Sequence, residues 1–156
     1  MAVNNDPLLA GKGNTGSVVW LPATTANTKS DGTGTIGTDI LKAFTADSTY
    51  GAFVQKVRLN PQASVAATAT TATVARIFIS SVTSGATTNA NTFLWAEVAC
   101  PAQTADQTTA ATSPIEIPLG FALPAGWTVL VSMHAAAAAN TSWSFTVIGG
   151  DYAKVA

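Results

Sequence analysis

The chain has 156 residues and a net charge of −1, and only 10% of its residues are charged, against roughly 25% in an average soluble domain. That length fits one domain able to bury a core without staples. The balance of charge, with no basic cluster beyond the pair Lys56 and Arg58, argues against a nucleic-acid partner, and a lone Cys100 excludes an intrachain disulfide or a cysteine-based zinc site.

Much of the hydrophobic 47% is alanine, and threonine is frequent. Small side chains and few charges suit a surface covered by neighbouring molecules. The opening MAVNNDPLLAGKG lacks a basic stretch followed by an apolar one, so no secretory signal is expected. No run of ~18 apolar residues occurs, so no membrane partner is expected. Asn140-Thr141-Ser142 matches a glycosylation sequon, read here as a chance match in a Thr/Ser-rich chain.

Residues 1–35 read as an extended N-terminal arm with one edge strand. GKGNTG and KSDGTGTIG favour turns, and between them SVVWLPA is apolar but interrupted by Pro22. Residues 36–156 read as a β-sandwich domain, with strands near 38–45, 52–60, 72–82, 92–99, 113–118, 127–134 and 141–149. With 16–21 that makes about eight, separated by Gly, Pro, Asn, Asp, Ser and Thr. The fold class is all-β, an antiparallel eight-stranded sandwich with jelly-roll topology favoured.

Alternation is clearest late in the chain. Trp127, Val129, Val131 and Met133 share one face, as do Trp143, Phe145 and Val147, and a period of two points them inward. Trp95 shares a face with Phe93 and is expected in the core. Arg76, Ser80, Lys56, Arg58 and Glu116 are expected on solvated faces, with cross-strand pairing. Ala135–Ala139 is too short for a stable helix and reads as a loop.

Residues able to do chemistry are scarce. There is one histidine, His134, and two glutamates, Glu97 and Glu116, in different strands. No G-x-S-x-G, H-E-x-x-H or P-loop pattern occurs. Asp31 and Asp39 bracket DGTGTIGTD, which lacks the acidic spacing and the closing glutamate of a calcium loop. No catalytic residue, cofactor, metal or small-molecule substrate is expected. Four tryptophans raise a sugar-platform reading, but three of them follow the inward pattern. Trp20, in the arm, is the exception and is expected to anchor a partner.

One resemblance rests on the order of RIFISSV, a Thr/Asn-rich turn, NTFLWAEVACPA, SPIEIPLGFALPAGWTVLVSM and SWSFTVIGGDY. Across residues 36–152 this texture resembles small β-sandwich virion structural proteins of tailed bacteriophages, of the capsid decoration or cement type. The resemblance implies a protein on the capsid surface, assembled in the cytoplasm of a bacterial host, with the major capsid protein and copies of itself as partners, a trimer favoured over a dimer. The alternative is a tail, baseplate or fibre component of the same fold, with glycan or receptor binding. A free carbohydrate-binding module and an enzyme are the remaining readings. The interface candidates are Leu8, Leu9, Val18, Val19 and Trp20 in the arm, and Ala135 and Ala137 in the alanine loop.

Overall fold

The computed structural model describes residues 9–65, 68–105 and 113–153. In chain order the strands are β1 (Leu9–Trp20), β2 (Gly34–Thr35), β3 (Leu41–Thr45), β4 (Ala52–Ala63), β5 (Thr68–Ala69), β6 (Thr73–Ser80), β7 (Ala86–Thr87), β8 (Thr92–Cys100), β9 (Thr104–Ala105), β10 (Ile115–Leu123), β11 (Thr128–Met133) and β12 (Thr141–Ala153). Eight are long enough to build layers, and each overlaps one of the eight strands expected from the sequence. One sheet runs β1-β12-β4-β10 and the other β3-β11-β6-β8, with all pairings between these strands antiparallel.

Among the eight long strands the pairing is nested. The first pairs with the last (β1 with β12), the second with the seventh (β3 with β11), the third with the sixth (β4 with β10) and the fourth with the fifth (β6 with β8). A long hairpin rolled up on itself gives this order, so the sandwich is a jelly roll. The core between the sheets takes Trp143, Phe145 and Val147 from β12, Val54, Val57 and Leu59 from β4, and Val129, Val131 and Met133 from β11. Along β12 the serines and threonines between them are only half-buried, as the alternation requires.

The segment expected as an arm is built into the sandwich from residue 9 onward. Residues 9–20 are β1, an edge strand held by β12 from Leu9↔Ala153 to Trp20↔Trp143. A close approach closes this corner of the sandwich. Gly16 lies against β3 so tightly that a methyl group there would collide with the Ala43 carbonyl. Asn14 Nδ2 spans the gap, donating to the Thr45 carbonyl at 3.2 Å and to Asp151 Oδ1 at 2.9 Å.

Residues 21–40 then cross the outer face of the second sheet as a strap. β2 pairs with β7, and Ile40 packs with Phe78 and Leu130 in a second, small core. Asn27 ties the strap down: its N–H donates to the Met133 carbonyl at 2.9 Å, its Nδ2 to the Thr33 carbonyl at 3.2 Å, and its Oδ1 accepts from the Lys29 N–H. Arg76 Nη1 donates to the Asn27 carbonyl at 2.9 Å while its Nε donates to Glu97 at 2.6 Å. This corrects the expectation of a solvated face on β6: Arg76 is buried where it holds the strap, and Ser80 is buried beside Asn91 and Thr92. Every residue of β11 is buried, with Val129, Val131 and Met133 between the sheets and Leu130 under Ile40 of the strap. The pair expected on the other sheet does face solvent, with Lys56 Nζ 3.0 Å from Glu116.

Gly16→Ala is expected to destabilise the protein by about 1–3 kcal/mol, because the carbonyl it would strike belongs to the backbone and cannot swing away. Gly13→Ala, with nothing within 4 Å of the new carbon, is expected to be near neutral. Urea unfolding of both variants checks the contrast. Arg76→Ala leaves the Asn27 carbonyl without this donor and is expected to cost about 1–3 kcal/mol, read by the same titration.

Candidate interaction surface

The two corners of the sandwich differ. At the β1/β3 corner the backbones meet at Gly16, whereas at the β8/β10 corner the gap is filled by rings. The cause is a β-bulge. Ile77 pairs with Ala96 but Phe78 pairs with Leu94, so Trp95 is the extra residue in β8 and is left without a partner in the ladder. A regular strand would put Trp95 on the same face as Phe93. At the bulge it rests on Phe121 and lies 48% exposed. The expectation that Trp95 packs in the core is thereby overturned.

Trp95 rests on Phe121 of β10, ring centroids 4.5 Å apart and tilted by 46°. Phe93, 47% exposed, stacks on Trp127 at 6.4 Å and 15°. Phe121 and Trp127 are half-buried and pack against the main core. Leu94, 41% exposed, points to the other side of β8. The seam is thus a row of large apolar side chains whose inner members are fixed by the core and whose outer members meet solvent. Contiguous exposure of this kind marks interaction surfaces more often than single exposed leucines do.

Neither edge of the seam invites an added strand. The bulge twists β8, and β10 carries Pro118 followed by a register shift before Phe121, with Gly120 at φ +63°. Glu97 pairs with Arg76 and Glu116 with Lys56, both carboxylates remaining partly exposed.

Among the residues expected at interfaces, Leu8 lies outside the described residues, and Leu9 opens β1 opposite Ala153. Val18 is half-buried against the core, and Val19 is 40% exposed on the outer side of β1. Trp20, expected to anchor a partner, is fully buried in the chain's own core opposite Trp143, because β1 is paired along its whole length and its end is drawn between the sheets. Its Nε1 has no hydrogen-bond partner. Ala135 and Ala137 are half-buried: the Ala135 N–H donates to Thr73 Oγ1 at 3.0 Å, and Ala137 packs against the core. The loop therefore also serves this chain's own packing. The seam residues Phe93, Trp95, Phe121 and Trp127 were not singled out from the sequence as a surface. The only available signal was the break in alternation that a bulge produces, and a strand pattern read alone cannot register it.

Among the described residues, no three of His, Cys, Asp and Glu come together in a way that would hold a metal ion. The carboxylates serve turns. Asp47 is held below the usual carboxylate range by the N–H groups of Tyr50 and Thr49, and Asp31 by that of Thr33. His134 Nδ1 lies 3.5 Å from Arg76 Nη2, at the margin of a hydrogen bond.

No family model matches the chain, and no curated protein matches it. Three solved structures share a loose likeness. The PRD1 vertex protein P5 aligns over 88% of this chain and 97% of its own, at TM-score 0.38 and 14% identity. The cyanophage Pam1 capsid aligns over 97% and 93%, at 0.33 and 19%. A structure of infectious bursal disease virus, Gx strain, aligns over 98% of this chain and 41% of that one, at 0.29 and 12%. Scores this low identify neither a family nor a function.

Cys100 is buried at the end of β8, and burial pushes its thiol from 9.0 up to about 11. The unfolded thiol loses its proton near 9 while the folded one keeps it, so the unfolded state binds fewer protons between the two values. The stability contributed by Cys100 is expected to be intact below pH 9 and to be lost as pH rises from 9 toward 11. Cys100→Ala is expected to remove that part of the slope in urea titrations taken across the window.

Proposed function

We propose that the chain is a non-enzymatic structural protein of a tailed-phage virion that decorates or cements the capsid by bridging neighbouring capsomers. The observation that carries this reading is the aromatic seam: a rigid jelly roll with few charges presents a fixed row of half-exposed rings where its sandwich is left open. Such a surface suits binding, and among the described residues no metal-binding cluster of His, Cys, Asp and Glu stands beside it. The order of motifs across residues 36–152, which resembles small tailed-phage virion proteins, supports the same role.

In this reading the protein works by mass action. Each copy bridges two capsomers, and many identical contacts of modest strength resist expansion of the shell together. The partners are the major capsid protein and further copies of the chain, as a trimer in preference to a dimer. The N-terminal segment is the tether, through Leu8, Leu9 and the exposed Val19, and Ala135 contributes from the loop between β11 and β12. Val18, Trp20 and Ala137 support these contacts from within.

The test is the number and position of copies in purified particles, by quantitative gel analysis and immunogold labelling. Hundreds of copies spread over the head are expected. A handful at one vertex would move the protein to the tail or a fibre, and complete absence from particles would remove the virion role.

A further inference from the structure

The strap of residues 21–40 carries hydrogen bonds of its own that hold it in shape. The Thr25 N–H donates to the Thr38 carbonyl at 3.2 Å, Asn27 Nδ2 donates to the Thr33 carbonyl, and the Thr33 and Thr35 N–H groups donate to the carboxylates of Asp31 and Asp39. Its two ends are fixed in the sandwich, by Trp20 opposite Trp143 and by Leu41 opposite Val131. Between those ends it is tied to the body of the protein at separate points. The Asn27 N–H donates to the Met133 carbonyl and the Ile36 N–H to the Gly85 carbonyl, β2 pairs with the two residues of β7, and Ile40 packs on Phe78 and Leu130. Arg76 adds its bond to the Asn27 carbonyl.

Keeping the strap closed carries a cost. Ser132, the register partner of Arg76 on β11, and Thr87, the register partner of Gly34, are buried, and neither hydroxyl has a hydrogen-bond partner. A buried hydroxyl without a partner is destabilising, and so is a guanidinium withdrawn from water. Arg76 is such a guanidinium, and its ion-pair partner Glu97 is partly exposed. Lifting the strap returns water to these groups. What it gives up in apolar contact is confined to Ile40 and the half-buried Ile36 against Phe78 and Leu130, a cluster separate from the core between the sheets. A segment held on such terms opens at a free energy well below that of global unfolding.

We propose that the strap is a latched cover: residues 21–40 lift off the second sheet as a unit while both sheets stay folded, and Arg76, aimed by Glu97, is the latch. Opening uncovers Phe78, Leu130 and Ser132. β1 and β3 stay in their ladders, because Trp20 and Leu41 hold the two ends. The inference does not rest on the virion role.

Native-state hydrogen exchange of the full chain, read residue by residue by NMR across low urea concentrations, tests it. After correction for intrinsic rates, the Asn27 and Ile36 amides are expected to exchange about a hundredfold or more faster than the amides of β12, with one shared urea dependence smaller than that of β12. Val147→Ala leaves a cavity in the core between the sheets, away from Ile40, and is expected to speed exchange in β12 while Asn27 and Ile36 keep their rates. Arg76→Met keeps a long side chain without the latch and is expected to speed exchange at Asn27 and Ile36 about tenfold. Exchange at Asn27 and Ile36 that matches β12, and rises with it in Val147→Ala, overturns the inference, since the strap then opens only with the whole fold. So does a difference in urea dependence between Asn27 and Ile36, which would mean separate openings. A folded Arg76→Met variant in which both amides keep their wild-type rates overturns the latch.

Discussion

The pairing of β12 with both β1 and β4 is the constraint on which the rest of the molecule depends. Trp143, Phe145 and Val147 face inward only in this register, and a slip of one residue would turn all three to solvent and bring Ser142, Ser144 and Thr146 into the core. The same register sets β1 against β12 so that Gly16 passes β3 at backbone distance. With the first strand locked to the last, the nested pairing of the other six long strands completes the two-sheet roll.

One side of the roll closes and the other does not. At the β1/β3 corner a glycine and an asparagine bring the sheets together. At the β8/β10 corner an extra residue in β8 and a proline with a register shift in β10 hold the edges apart, and rings fill the gap. Blunting an edge in this way prevents open-ended strand addition. Its by-product is an apolar seam that stays half wet in the isolated chain. The outer face of the second sheet shows the opposite treatment, since the strap of residues 21–40 covers it and Arg76 fixes the strap through Asn27. Residues 21–40 thus cover a face of mixed polarity, while the aromatic seam stays open.

The lowered carboxylates, Asp31 and Asp47, receive backbone N–H groups of their own turns and so act as local caps. Among the described residues Cys100 is strongly shifted, raised by burial against an opposing hydrogen bond from the Ala75 backbone, in a direction that makes it less reactive.

The sequence by itself determined the eight long strands, their approximate positions and the inward faces of β11 and β12, because a period of two and the turn residues between strands are local properties. It also determined the scarcity of chemistry, since residues that are not there cannot be assembled. Tertiary structure alone decided four matters. It made residues 9–20 a fully paired edge strand and buried Trp20, since pairing with β12 links positions more than a hundred residues apart. It buried Arg76, Phe78 and Leu130, because a strap with no periodic pattern of its own lies over them. It set Trp95 outside the core, because a bulge is a mismatch between two strands and neither strand records it alone. And it placed Phe93 and Trp95 beside Trp127 and Phe121, since strand order brings distant segments to one corner and side-chain alternation carries no information about order.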